Sequence, residues 1–359
     1  MNFIKRGLSF CLALSAFIPS IAAQSKTALP SKEEAKALLD KAFDQTNLRA
    51  DGAPPFHIRV RVKSYGPKGE AIDGTYELWW AAENRWHQEV SWGGPPIVTV
   101  ASNSHFSVLG NDTYLRDTLR IENVLKFWPT FYTPNQKAIL QIKSGDLDGA
   151  HLACVRDYAL PAPGANLHIA ASVTLTPRNV LPDQTICFDP ATGAPVEIES
   201  GDSRWLYGEY ADMGPKRFPR EIHELADKKP LIDAHVELLE PFDKSHFETF
   251  IPPVGAVSRN WCFDMTAPTP VYFGGPPRDL AEQDRERHNV APRFPAGYED
   301  LGLIVFSVDE SGHTTDVRAF LPGGQRGMKD SQKHLLMQST FKPASCGATP
   351  VKDDYMLWQ

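Results

Sequence analysis

The cysteines carry the clearest chemistry in this sequence. Apart from Cys11 there are four: Cys154, Cys187, Cys262 and Cys346. None stands in the close C-x2-C spacing that zinc sites use, so we expect disulfides and no structural metal. Four cysteines allow three connectivities. We predict that Cys154 pairs with Cys187 and Cys262 with Cys346, because each bridge then stays within or beside one module, and such bridges are typical of an oxidising compartment.

Residue groups suited to catalysis are incomplete. Gly201-Asp202-Ser203 has the residue order of the nucleophile block of one lipase class, but it precedes a predicted strand deep in a β-rich region. We interpret Ser203 as an exposed turn serine. His223 and Glu224 lack the second histidine of the zinc motif H-E-x-x-H. Three other histidines fall on different predicted strands: His57, His87 and His105. We therefore expect no catalytic residue, no metal site and no cofactor.

The tryptophans are unevenly distributed. Half of the eight tryptophans, Trp79, Trp80, Trp86 and Trp92, stand close together in one β-rich stretch. Such a cluster can line a pocket for a lipid or another apolar ligand. Alternating aromatic residues also pack both faces of a sheet, and this second interpretation stays open.

The elements that must position these residues begin with a helix over 31–47. Ser31 is its predicted N-cap, and Glu34 completes a capping box. From Phe56 the apolar residues recur at every second position, which predicts a half-buried antiparallel strand. A second helix is predicted over 118–127. Further strands are predicted over 75–81, 85–92, 97–101, 105–109, 171–176, 184–188, 196–199, 204–210 and 234–239. Residues 31–245 therefore form one large β-rich domain.

Proline marks the following stretch. Residues 251–300 hold eight of the 30 prolines, a density that disfavours regular strand pairing, so we interpret 246–291 as a Pro-rich linker. Beyond it the pattern is regular again. Two strands flank the turn at 309–312, a helix follows over 328–341 and a last strand over 353–358. Residues 292–359 form a small ββαβ domain.

This last domain resembles the C-terminal domain of TonB-type energy transducers. The order of five short motifs carries the resemblance: Phe294-Pro295, Val308-Asp309-Glu310-Ser311-Gly312, Asp316-Val317, Phe341-Lys342-Pro343-Ala344 and Gly347-Ala348-Thr349-Pro350-Val351. The resemblance implies a protein-binding role, in which the domain adds a strand to an extended peptide of an outer-membrane receptor.

The upstream domain resembles the LolA/LppX class of periplasmic lipoprotein-binding folds. The resemblance is carried by the N-terminal helix leading into 56–65, the strand 74–80 and the turn 188–195. It implies a half-barrel of antiparallel strands closed by helices, with a concave face that holds an acyl chain. The fold class is then α+β, with a LolA-like half-barrel followed by the TonB-like domain.

The first 23 residues have the pattern of a signal peptide. Lys5 and Arg6 precede an apolar run over 7–18 and a small-residue end over 19–23. The run is shorter than the ~20 residues that span a bilayer as a helix. We expect export to the periplasm with the signal removed; an uncleaved signal would anchor the chain in the inner membrane. The formal net charge of −7 and the lack of a basic run exclude nucleic acid as a partner.

Three functions follow from these patterns. The main interpretation is a non-catalytic periplasmic envelope protein that binds another envelope protein, such as an outer-membrane receptor, and takes part in TonB-dependent transport. One alternative is a carrier of a lipid or lipoprotein. The other is a secreted hydrolase whose site is assembled from residues distant in sequence.

Overall fold

The structure is a computed structural model in which antiparallel strands make up most of the described residues. It describes residues 32–50, 53–66, 69–102, 105–110, 113–125, 139–147, 150–158, 184–189, 192–200, 203–226, 228–243, 245–260, 262, 265–272 and 302–358. The predicted signal peptide, the predicted strand 171–176 and the Phe294-Pro295 motif lie outside these residues.

Three α-helices are present in the described residues: α1 (Lys32–Thr46), α2 (Leu115–Leu125) and α3 (Asp330–Leu336), with a 3-10 helix at Phe247–Phe250. The strands up to the Pro-rich region are β1 (Phe56–Tyr65), β2 (Ala71–Ala82), β3 (Arg85–Ser91), β4 (Ile97–Ser102), β5 (His105–Leu109), β6 (Ile139–Leu147), β7 (Ala150–Tyr158), β8 (Gln184–Phe188), β9 (Pro195–Ser200), β10 (Ser203–Met213), β11 (Lys216–Ala226) and β12 (Lys229–Pro241). The later strands are β13 (Val257–Asn260), β14 (Met265–Thr266), β15 (Thr269–Tyr272), β16 (Leu303–Val308), β17 (Thr314–Leu321), β18 (Gly324–Arg326), β19 (Thr340–Lys342), β20 (Ala344–Cys346), β21 (Thr349–Val351) and β22 (Asp353–Trp358).

The first thirteen strands form one open sheet. Its order is β13-β5-β4-β3-β2-β1-β12-β11-β10-β9-β8-β7-β6, with β13 and β6 at its two edges. Neighbouring strands mostly follow one another in sequence, since short turns suffice to join antiparallel partners. The long connection runs from β5, near one edge, through α2 to β6 at the other edge, and the central pair is β1 with β12. The β-rich, open-sheet architecture predicted for this region is confirmed.

The two faces of this sheet differ in polarity. Along β1, Ile58 and Val60 are buried, whereas Arg59 and Arg61 are exposed. We call the face of Ile58 and Val60 the inner face and the face of Arg59 and Arg61 the outer face. This alternation is the one expected of a sheet with one face packed and one in water.

Helices α1 and α2 lie on the inner face. Leu39 and Ala42 of α1 and Ile121, Val124 and Leu125 of α2 belong to the same apolar core as the inner-face residues of the strands. Each of these five side chains is 6% exposed or less. Burying a leucine or isoleucine of this kind stabilises the fold by roughly 1.5–3 kcal/mol. Apolar contact therefore accounts for most of the attachment of the helices to the sheet.

Residues 302–358, which we call the C-terminal module, form a four-stranded sheet in the order β18-β17-β16-β22. All six residues of its central strand, β16, are buried. On one face Ile304 and Phe306 pack with Leu336 of α3 and with Phe341. On the other face a second cluster packs against α2 of the large sheet. Both faces of the module are thus covered.

The Pro-rich region departs from its prediction. We expected no regular pairing over 246–291, but β13 pairs with β5, β14 with β20 and β15 with β19. That expectation is wrong for the described part of the region. The pairings are short and involve edge strands, where proline is tolerated. Whether the chain divides into domains at 245 and 291 stays a prediction.

Helix and strand limits also differ in places. The predicted helix over 328–341 is wrong in length: α3 ends at Leu336, because the Ser339 carbonyl accepts a hydrogen bond from Thr314 Oγ1 and the chain continues into β19. The predicted second helix begins three residues earlier, at Leu115. Outside the Pro-rich region, seven strands were not predicted at all: β6, β7, β11, β18, β19, β20 and β21.

The disulfide predicted between Cys262 and Cys346 is confirmed. Their Cα atoms are 5.8 Å apart and their sequence separation is 84. Closing a loop of this length stabilises the fold by about 4 kcal/mol in the chain-entropy model. For the other pair, the register of β7 and β8 places Cys154 directly opposite Cys187, and Cys187 is disulfide-bonded. The Cys154–Cys187 bridge itself stays a prediction.

Candidate apolar ligand pocket

A pocket lies between the C-terminal end of α1 and the inner face of the sheet. Its volume is about 20 Å³, room for about one water molecule. Six apolar side chains line it: Leu48, Phe56, Ile58, Leu78, Leu125 and Phe218. Four polar residues complete the lining: Thr46, Asn47, Arg49 and Tyr76. The pocket therefore has the composition of a small-molecule site, mostly apolar with few polar groups.

The chain that follows α1 forms the cover of this pocket. Thr46 Oγ1 donates a 2.7 Å hydrogen bond to the Ala42 carbonyl, and the Asn47 N–H donates to the Phe43 carbonyl at 2.9 Å. The Asn47 side chain then accepts the Arg49 backbone N–H at 3.0 Å. Asparagine favours such a turn because its side chain replaces a backbone acceptor. The turn buries Leu48, which is 5% exposed, and places Arg49 at the pocket.

Arg49 brings a positive charge to this apolar site. Its guanidinium carbon lies 5.1 Å from the centroid of the Trp80 ring, a cation–π distance. Its Nη2 donates a 3.3 Å hydrogen bond to the Tyr76 hydroxyl. Within the described part of the chain, the Arg49 guanidinium forms no ion pair with a carboxylate.

A polar chain continues from Arg49 across the inner face. The Tyr76 hydroxyl donates to Gln88 Oε1 at 3.0 Å, and Gln88 Nε2 donates to Glu122 Oε1 of α2 at 2.6 Å. Tyr76 is fully buried, and this burial raises the pKa of its hydroxyl to about 12. Tyr76 therefore stays neutral at physiological pH and connects the cover of the pocket to α2.

Charged residues under α2 hold that helix in place. Arg120 pairs with Glu224 of β11 through two hydrogen bonds, of 2.9 and 3.3 Å. Glu224 is only 5% exposed. Trp92 Nε1 donates to Thr118 Oγ1 of α2 at 3.1 Å. These contacts fix the helix that closes one end of the pocket.

The four tryptophans predicted to line a pocket do not lie together. Trp79 is on the outer face, stacked on His57 at 4.7 Å between ring centroids. Trp80, Trp86 and Trp92 lie on the inner side and pack against or within the main core. The lining of the pocket described above consists of other residues. A ligand site built from the four tryptophans stays a prediction that the structure does not favour.

Three of the four candidate histidines, His57, His87 and His223, lie on the outer face and pair with carboxylates. His57 has Glu77 2.7 Å from Nε2 and Glu240 3.1 Å from Nδ1. His223 Nδ1 is 2.7 Å from Asp233. His87 pairs with Glu89, whereas His105 is exposed at the start of β5. Within the described residues there is no group of three or more metal-binding side chains.

Sequence reasoning missed the pocket residues. Arg49 and Tyr76 are 27 positions apart, and nothing in the spacing of either indicates that they meet. The one usable signal was Asn47, a turn-forming residue at the end of the helix predicted over 31–47.

Comparisons with known proteins give a fold likeness and no family. No family model matches the sequence. No curated protein matches it either. In the described residues, no helix combines the length and the apolar character needed to cross a bilayer.

Several solved structures are similar to this chain. A LolA superfamily protein from Nitrosomonas europaea is 10% identical, with a TM-score of 0.35, and the match covers 60% of this chain and 97% of that one. A DUF1329 family protein from Desulfovibrio piger is 7% identical, with a TM-score of 0.39, over 60% and 96% of the two chains. A beta-barrel-like protein of the domain of unknown function DUF1849 from Brucella abortus is 9% identical, with a TM-score of 0.17, over 53% and 98%.

The predicted likeness of the N-terminal part to LolA-superfamily structures is therefore present. At TM-scores below 0.5 it carries no argument about ligand or activity. None of these three structures is described as a TonB C-terminal domain, and that resemblance stays a prediction.

Proposed function

We propose that the large sheet and its two helices bind an amphiphilic molecule with an apolar chain, and that the protein is a carrier of a lipid or lipoprotein. The observation that carries this proposal is the pocket on the inner face, where six apolar side chains meet one guanidinium that forms no ion pair within the described residues.

The apolar part of the ligand would lie between the sheet and the helices. At about 20 Å³ the pocket is much smaller than a small-molecule site, so an apolar chain would enter only by displacing part of the cover. The displaced part would be the turn at 46–49, whose Leu48 belongs to the apolar core. Replacing those contacts with ligand contacts conserves buried apolar area, so the exchange costs little.

The polar head of the ligand would lie at Arg49. The guanidinium has five donors in a planar fork that suits carboxylate and phosphate groups. Two of its neighbours, Trp80 and the Tyr76 hydroxyl, are neutral, and no carboxylate among the described residues forms an ion pair with it. An anionic head group supplies the missing charge, which favours a fatty acid or an anionic phospholipid over a neutral lipid.

The experiment is a fluorescence titration with a naphthylamine dye, followed by competition with a lysophospholipid of phosphoglycerol type. Arg49→Gln should weaken the competitor about tenfold or more and leave dye affinity nearly unchanged. Arg61→Gln, on the outer face, is the matched control and should change neither affinity. The absence of saturable dye binding to the folded wild-type protein would rule out the proposal.

The extracytoplasmic location belongs to the same proposal and rests on residues 1–23. N-terminal sequencing of the protein from its native host should give a chain that begins at Gln24. A chain that retains Lys5 and Arg6 would instead indicate a membrane anchor.

A second candidate function is protein binding by the C-terminal module. Strand β22 pairs with β16 on one side and lies at the edge of its four-stranded sheet. An edge strand offers backbone donors and acceptors to an added strand. A photo-reactive residue at Met356 should crosslink to an outer-membrane protein, whereas the same residue at Met265 should not. Equal crosslinking from both exposed positions would contradict strand addition at β22.

A further inference from the structure

Helix α2 has a second surface, which contacts the C-terminal module. Leu115 and Leu119, one helical turn apart, pack against an apolar cluster on the module sheet. The members of that cluster are Leu303, Val305 and Phe320, all fully buried. One face of the module sheet is therefore covered by α2 and is not exposed to solvent.

A buried carboxylate reinforces this contact. Asp117 of α2 is fully buried and accepts a 2.6 Å hydrogen bond from Ser64 Oγ of β1. It also accepts the Gly323 N–H, at 3.0 Å, from the turn between β17 and β18. Arg116 Nη1 lies 3.4 Å from the same carboxylate. One side chain of α2 is thus bonded to both the large sheet and the C-terminal module.

The two parts also approach closely at Gly302. This residue has φ +64°, and a Cβ there would lie 2.9 Å from the Phe320 carbonyl oxygen and 3.2 Å from Arg116 Nε. Only glycine fits such a position without displacing its neighbours. A small separation of module and α2 would break the Leu119 contact and the Gly323 hydrogen bond together.

The opposite surface of α2 faces the pocket. Leu125 lines it, and Ile121 and Val124 fill the core beside it. Opening the pocket at this end requires α2 to move away from the sheet. In that movement the Asp117 carboxyl would lose its hydrogen bond from Ser64 Oγ, which opposes the movement.

We propose that the C-terminal module restrains α2 and thereby keeps the pocket closed. Loosening of the contact between the module and α2 would then control entry and release of the ligand. The ligand part of this inference rests on the proposed carrier function. The mechanical part, that the module limits the opening of α2, stands without it.

The test compares full-length variants that loosen the contact from different sides. Leu119→Ala removes apolar contact from α2, and Gly302→Ala inserts a methyl group between the module and Arg116. Leu357→Ala, on the α3 side of the module, is the matched control. Circular dichroism confirms that each variant is folded, and either loosening variant alone is sufficient for the test.

The readouts are hydrogen exchange of the α2 amides without ligand and the rate of naphthylamine dye uptake. We expect both to increase about tenfold in Leu119→Ala and in Gly302→Ala, with the control close to wild type. Unchanged hydrogen exchange of α2 in folded Leu119→Ala and Gly302→Ala would contradict the restraint of α2 by the module. Faster hydrogen exchange of α2 together with no dye binding in any variant would support the restraint of α2 by the module. The same result would contradict the carrier function.

Discussion

Ser64 Oγ donates a 2.6 Å hydrogen bond to the buried carboxylate of Asp117, and this one contact joins the first strand of the large sheet to the helix that closes its pocket. Ser64 is 1% exposed and Asp117 fully buried, so water cannot replace either partner. Burial raises the pKa of Asp117, while the Ser64 hydrogen bond opposes that rise. The anchoring of α2 depends on this balance.

Ser64→Ala should therefore destabilise the protein. Removing the hydroxyl leaves the Asp117 carboxylate with one donor fewer in a site closed to water, a change that costs about 1–3 kcal/mol. Urea denaturation followed by tryptophan fluorescence gives the free energy of unfolding. Ser91→Ala removes a solvent-exposed hydroxyl bond to Gly94 and should stay within about 0.5 kcal/mol of wild type. Equal losses in the two variants would contradict the anchoring role.

The buried tyrosine predicts alkaline destabilisation. Burial raises the pKa of Tyr76 from 10 to about 12, so the folded state favours the neutral hydroxyl. This contribution is fully present below pH 10 and is lost as the pH rises to 12. We expect Tm to fall between these values and Tyr76→Phe to flatten that fall. Tyr272→Phe, at an exposed position, should leave the pH profile of Tm as in wild type.

The Arg120–Glu224 pair should matter far more than a surface pair. Arg120→Gln leaves Glu224 buried without its cation, which costs about 3–5 kcal/mol. The exposed Arg61–Glu237 pair spans 3.4 Å, and Arg61→Gln should cost less than about 1 kcal/mol. Denaturant titration of both variants measures the difference. If Arg120→Gln loses no more unfolding free energy than Arg61→Gln, burial does not determine how much each ion pair contributes to stability.

The two predicted disulfides can be tested separately, by mutation and by peptide mapping. The double variant Cys262→Ser/Cys346→Ser should lose roughly 2–5 kcal/mol of stability. A non-reduced peptide map of the wild-type protein should contain one peptide pair joined through Cys262 and Cys346 and another through Cys154 and Cys187. A peptide that links Cys154 to Cys262 would overturn the assignment of both.

Strands with clean alternation were predictable from the sequence. The alternation of Ile58, Val60 and Val62 with charged residues predicts β1, and the structure confirms it. Strand β11 was missed because Pro219 and several charged residues interrupt the alternation in its sequence. Strand β11 is held in place by hydrogen bonds to β10 and β12, and its own sequence does not show these pairings.

The site was less predictable than the fold. The apolar lining comes from the turn after α1, from α2 and from three strands, and each of those residues looks like ordinary core in its local sequence. Arg49 is informative only because the turn at Asn47 directs it to Tyr76 and Trp80. The contact between α2 and the C-terminal module likewise joins residues about 190 positions apart or more, such as Leu115 and Leu303, which no local pattern reports.

Native mass spectrometry of the full chain, purified from its own host without detergent, tests the carrier proposal most directly. The account predicts a bound acyl-chain species that is released on denaturation, with its amount strongly reduced in Arg49→Gln and unchanged in Arg61→Gln. A wild-type protein that is consistently empty, and that also fails to take up an added lysophospholipid, would contradict it.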